Sequence, residues 1–214
     1  RELIPAIKGL WKGDYAHEGQ YWQFPSTTSA PLPLQQPHPP IWVAARDPNS
    51  HEFAVSQGCN VQVTPMYLPH EETVSLMDRF NAACAAHPEM PRPKIMILQH
   101  GYVAKDAADA DLAARELNAF YNYFGAWFQN KRPIHMGMIQ PITPEEIAAN
   151  PTYSPEAMRK NLLIGEKGEV IDRLKLVEAL GYDEFSLWID SGMSFERKRD
   201  SLRRLIEDVM PAFA

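Results

Sequence analysis

The sequence predicts an α/β protein of four βα units, half of a (β/α)8 barrel, and three observations predict it. Short apolar runs alternate four times with helix-patterned stretches, the order that builds a parallel sheet. The runs are apolar without alternation, as expected of strands covered on both faces. At 214 residues the chain is shorter than the ~250 that eight such units use. A small open, doubly wound sheet is the structural alternative. With half a barrel, the outer strands 41–45 and 184–189 have exposed edges that need partners.

Each element has a local reason. Leu3, Ile4, Ile7, Leu10 and Trp11 recur at helical spacing, so the chain opens on a helix. The stretch YAHEGQYWQF from Tyr15 to Phe24 alternates in part around a Gly and predicts a hairpin. Six prolines in the sixteen residues from Pro25 to Pro40 predict an extended connector. Ile41–Ala45 is then a short apolar strand, followed by a helix from Asn49 to Gly58 with Asp47 as cap, Pro48 at its first position and Gly58 as its stop. Val61–Thr64 is the second strand, closed by Pro65. Pro69–Ala86 is an amphipathic helix with Val74, Met77 and Phe80 on one face. Lys94–Val103 is the third strand, Ala107–Phe128 the longest helix, Gly168–Leu180 another, Glu184–Ile189 the fourth strand, and Phe195–Val209 the closing helix. Residues 129–155, with five prolines, suit an excursion or lid on an otherwise single domain spanning 1–214.

Composition narrows the function. A formal net charge of −6 with no dense basic run argues against a nucleic-acid or anionic-membrane partner. The basic cluster Arg197-Lys198-Arg199 with Arg203 and Arg204 reads as a solvated helix face. No apolar run approaches the ~20 residues of a membrane span, and no signal-peptide pattern opens the chain, so a cytoplasmic protein is expected. Cys59 and Cys84 lack metal or redox spacing, and the seven histidines form no metal-binding pattern.

Two places have chemistry to offer. Where the first strand runs into its helix, the N–H groups of the helix start, the Ser50 hydroxyl and the Arg46 cation suit an anion such as phosphate, and Ala44 and Ala45 leave room for its approach. An ordinary, well-capped βα turn accounts for the same residues. The third strand ends in Gln99-His100-Gly101-Tyr102, polar groups at the end where barrel active sites lie. A lone strand-end histidine also serves structure. Trp188 either faces a ligand ring or fills the core. Phe120, Tyr121, Tyr123, Phe124, Trp127 and Phe128 either line an apolar cavity or pack.

The residues resemble the C-terminal part of the luciferase-like monooxygenase family, which includes bacterial luciferase and alkanesulfonate monooxygenase. The resemblance rests on His17-Glu18-Gly19 with Tyr21-Trp22-Gln23-Phe24, on Gln36–Ala45 followed by Ser50, Ala54 and Gly58, on Ile164-Gly165 with Glu169-Val170-Ile171, on Leu180–Phe185, and on Val209–Phe213. It implies a (β/α)8 barrel and reduced FMN, with the phosphate near Ala45, Arg46, Asp47 and Ser50 and with Thr64 at the next strand end. It also implies O2 and a small organic substrate, a flavin reductase as partner, and His100 as the catalytic candidate for hydrogen bonding to flavin or peroxide oxygens or for proton transfer. Coenzyme F420 is the alternative cofactor within the same fold, and a non-catalytic half-barrel assembly subunit is the alternative of another class. The family's Thr-Pro after Ile-Gly is Glu166-Lys167 here, which predicts a loosened helix start. The family's first half-barrel has no counterpart in these residues, which implies a missing N-terminal half or a homodimer.

Overall fold

Two compact units make up the chain, Arg1–Val63 with Asp78–Ile95, and Thr64–Met77 with the residues from Met96 onward. The computed structural model describes residues 1–190 and 192–213, so Ser191, at the end of the predicted fourth strand, and Ala214 lie outside the described residues.

The first unit opens with α1 (Leu3–Leu10) and the antiparallel hairpin of β1 (Tyr15–Glu18) and β2 (Gln23–Thr27). Glu2 pins the hairpin turn. Its carboxylate accepts the N–H groups of Gln20 at 2.8 Å, Tyr21 at 3.0 Å and Trp22 at 3.2 Å, and these bonds, that from Tyr21 foremost, hold its pKa below the usual carboxylate value. β3 (Trp42–Ala44), α2 (Pro48–Ser56) and β4 (Asn60–Val63) form a βαβ unit with Val43 opposite Val61 in a parallel ladder. Asp47 caps α2, and Gly58, at φ +62°, turns the chain out of it. Ala54, Val55, Cys59, Val61 and Phe80 are its buried core. α3 (His70–Ala86) contributes to both units.

The second unit carries β5 (Ile95–Val103), α4 (Ala107–Gln129), a small hairpin of β6 (Ile134–His135) and β7 (Met138–Ile139), α5 (Pro144–Ala149), α6 (Pro155–Asn161), β8 (Leu163–Gly165), α7 (Lys167–Ala179), β9 (Glu184–Trp188) and α8 (Phe195–Arg204). β5 changes partner along its length. Met96–His100 run parallel to β9, and Gly101–Val103 run parallel to β8. The switch falls at Gly101, where a Cβ would lie 2.3 Å from Leu187 Cδ1 and 3.0 Å from the Leu163 carbonyl oxygen. Ala110, Ala113 and Ala114 let α4 pack closely on Met158, Leu162 and Ile164.

Among the described residues, five parallel strands therefore replace the four predicted. β8 is three residues long, and a period cannot be read in three residues. Within residues 129–155, Ile139 and Ile142 are buried against Ala126 of α4, so the proline-rich stretch contributes core residues of its own. Two further expectations are corrected. The start of α7 is held firmly, because the Glu169 carboxylate accepts the Glu166 N–H at 3.0 Å and pairs with Arg159 at 2.8 Å. The closing helix runs regularly only to Arg204, continues as one turn of π geometry through Val209 and ends in a 3-10 turn.

Candidate functional site

In the first unit, the predicted anion-binding residues form one turn. Ala45 is buried and donates its N–H to the Gln62 carbonyl at 3.0 Å, which fixes the chain as it leaves β3. Arg46 follows with an exposed side chain, and its carbonyl accepts from the Arg79 guanidinium at 2.6 Å. The Asp47 carboxylate accepts the Ser50 N–H at 3.1 Å and the Ser50 hydroxyl at 2.5 Å. The Ser50 hydroxyl bond, with the N–H bond behind it, holds the Asp47 carboxyl below its usual pKa. The two Ser50 donors proposed for an external anion are thus engaged by the protein's own carboxylate. A phosphate at this helix start would have to displace the exposed Asp47 carboxylate from Ser50.

In the second unit, Thr64 Oγ1 accepts the N–H of Met66, a residue at φ +59°. His100 lies near the end of β5 and opposite Trp188 of β9 in the ladder, so the two side chains share a face. Their rings stack at 3.9 Å between centroids with 19° between planes. Phe120 of α4 packs tilted against the imidazole at 5.3 Å and Tyr121 edgewise at 5.2 Å. His100 Nδ1 and the Tyr121 hydroxyl are hydrogen-bonded at 2.6 Å. Among the described residues no hydrogen-bond partner reaches Nε2. Burial pushes the His100 pKa down to about 4, with the Asp190 backbone and carboxylate acting weakly the other way, so the imidazole is neutral near pH 7.

The face of β5 that holds His100 also holds Met96 and Leu98, both half-buried, alongside Ser186 of β9, whereas Ile97 and Gln99 on the opposite face are buried. Gln99 donates to the Asn161 carbonyl at 2.9 Å and is a structural residue. Tyr102 donates to Asp109, which also pairs with Arg197 at 2.8 Å. Arg197 further pairs with Glu116, and Arg204 donates to the Val103 carbonyl at 2.8 Å. The basic cluster on α8 is therefore more than a solvated face, since two of its arginines tie that helix to β5 and α4. The aromatic set is split as well, with Phe120, Tyr121 and Phe124 packed inward and Tyr123, Trp127 and Phe128 exposed, so the six residues do not line one cavity. Sequence reasoning missed Tyr121 as the partner of His100, because a contact twenty-one residues away leaves no local pattern.

In parallel α/β folds of this kind ligand sites lie at the carboxyl ends of the strands, the end near which this buried, aromatic-clad histidine sits. The chain belongs to the luciferase-like monooxygenase family, whose model matches residues 1–184. It is 66% identical over all 214 residues to the oxygenase component of a flavin-dependent trigonelline monooxygenase of Acinetobacter baylyi, of which it covers 59%. Its fold is similar to that of the monooxygenase RslO1 from Streptomyces bottropensis, with a TM-score of 0.70, 25% identity and coverage of 100% of this chain and 60% of that one. It is also similar to the oxygenating constituent of 3,6-diketocamphane monooxygenase from Pseudomonas putida, solved with FMN, with a TM-score of 0.63, 15% identity and coverage of 99% and 62%. The chain thus spans less than two thirds of the length of these relatives.

Proposed function

We propose that this chain is the FMN-phosphate-side portion of a two-component flavin-dependent monooxygenase, acting with reduced FMN, O2 and a partner flavin reductase. The observation that carries the reading is the 66% identity, sustained over every residue of the chain, to an oxygenase component named for flavin dependence. The same relative makes trigonelline the first substrate to test. Bound reduced flavin supplies the activation of O2, a reaction no amino-acid side chain provides.

The residues of this chain have separate tasks. Arg46, Ser50 and the backbone around Ala45 and Asp47 bind the anionic tail of the cofactor, and Thr64 supplies a polar group at the next strand end. His100 hydrogen-bonds an oxygen or nitrogen acceptor, and Trp188 and Phe120 exclude water around it. The half-buried face of Met96, Leu98 and Ser186 supports the finer fold reading, in which 1–214 is one domain and the C-terminal half of a (β/α)8 barrel whose inner face is completed by further strands.

Anaerobic titration with reduced FMN and with reduced coenzyme F420, followed by oxygenation of trigonelline with a flavin reductase present, tests the proposal. Tight binding of FMN and an oxygenated product are expected. Selective binding of coenzyme F420 would replace the monooxygenase reading with hydride transfer, and binding of neither would leave a non-catalytic half-barrel.

A further inference from the structure

His100 has two ring nitrogens in different surroundings, and the difference settles where its single proton resides. Nδ1 is 2.6 Å from the Tyr121 hydroxyl, while Nε2 is fully buried with no partner among the described residues. Two arrangements of protons satisfy the short contact. If Nδ1 carried the proton and donated to Tyr121, the phenol proton would need another acceptor, and Nε2 would be a bare lone pair in an aromatic surround. If Tyr121 donates to an unprotonated Nδ1, both of those needs vanish, and one N–H, at Nε2, is left to pair. A buried group left unpaired is costly, so the arrangement with fewer of them prevails. Burial also raises the Tyr121 pKa, which keeps the phenol protonated and able to donate. Asp190 near the ring favours a proton on it through its backbone, and its carboxylate acts in the same direction, while Tyr67 packs on Tyr121 with 5.0 Å between ring centroids.

We propose that Tyr121 is a positioning residue that fixes His100 as the neutral ring protonated on Nε2, so that the residue presents a hydrogen-bond donor and not a proton-accepting base. The inference rests on the reading of His100 as part of the flavin site, and it narrows that residue's role to donation toward an acceptor atom of the bound ligand. Trp188, stacked on the imidazole, and Phe120, tilted against it, limit rotation of the ring and so preserve the direction of the N–H. Transfer of a proton away from a ligand at this position would require a lone pair on Nε2, and Tyr121 withholds it.

The test is the ¹⁵N spectrum of the ligand-free chain with labelled histidine, the His100 signals being identified by their loss in His100→Gln. Nδ1 is expected in the unprotonated class and Nε2 in the protonated class. Tyr121→Phe removes the donor, so the Nδ1 resonance moves and the form protonated on Nδ1 becomes populated. A wild-type spectrum with Nδ1 protonated overturns the proposal, as does an Nδ1 resonance unmoved in folded Tyr121→Phe; the wild-type spectrum decides even where that variant does not fold. Because this spectrum needs no flavin, its outcome is separate from that of the FMN titration, on which the flavin reading stands.

Discussion

Asp47 and Ser50 set a competition that single substitutions can read. The Asp47 carboxylate takes both donors of Ser50, so an incoming phosphate must displace a like charge to reach them. Ser50→Ala and Arg46→Ala are expected to weaken FMN binding by about three- to tenfold while leaving riboflavin nearly unchanged, in line with ~1 kcal/mol for an exposed polar contact. Asp47→Asn keeps a capping side chain and removes the charge, so it should tighten FMN relative to riboflavin. Paired titrations with the two ligands check both signs. His100 makes a prediction about stability. Its folded pKa of about 4 lies below the ordinary 6.5, so the unfolded chain binds more protons between those values and stability rises with pH across that window. The contribution is fully present above pH 6.5, is lost as pH falls toward 4, and amounts to about 3 kcal/mol at most. Urea unfolding at pH 4.5 and 7 should show it, and His100→Gln should flatten the difference. His51, buried in α2 with its pKa lowered by burial and by Arg79, acts in the same direction and retains a residual slope in that variant. At this scale the sequence was legible where chemistry is local. An Asp-Pro-x-Ser turn announces its own cap, whereas the Tyr121–His100 bond depends on the packing of a helix against a strand.

Among the elements, β5 is organised by a glycine. A side chain at Gly101 would meet both the Leu187 side chain and the Leu163 backbone, so Gly101→Ala requires Leu187 to move aside and β8 to give by a few tenths of an ångström at the point where β5 passes from β9 to β8. Overpacking of this kind costs about 1–3 kcal/mol, to be read as a lowered urea midpoint with an unchanged slope. An unchanged midpoint would show that Leu187 alone gives way. The long elements were readable because their patterns have room to repeat: α4 was expected at 107–128 and spans Ala107–Gln129. β8 was not, because Leu163, Ile164 and Gly165 supply no period and sit between two helices. The Glu166-Lys167 departure from the family pattern was misread for a different reason. The loss of a Thr-Pro cap is visible locally, but its replacement by Glu169 and Arg159 relies on an arginine from α6. Likewise, Ile139 and Ile142 looked like loop residues until α4 supplied Ala126 and Gly125 as their floor.

For the molecule as a whole, family membership was legible because motif order and spacing persist across the chain, and the family match over 1–184 bears this out. What short motifs did not reveal is how many strands share the sheet and which face is left open. The chain covers 59% of its Acinetobacter relative, and the half-buried face of β5 and β9 is where a barrel directs its interior. Under the half-barrel reading, adding the portion of the relative that this chain does not cover as a second chain should bury that face, and should produce a stoichiometric complex of increased thermal stability on size exclusion and calorimetry. The central claim is that this chain grips the charged tail of FMN at the turn from Ala45 to Ser50. An anaerobic equilibrium titration comparing reduced FMN with reduced riboflavin tests it most directly. The account predicts FMN bound at least about tenfold more tightly, the equivalent of about 1.4 kcal/mol for the phosphate; equal affinity for the two ligands would contradict it.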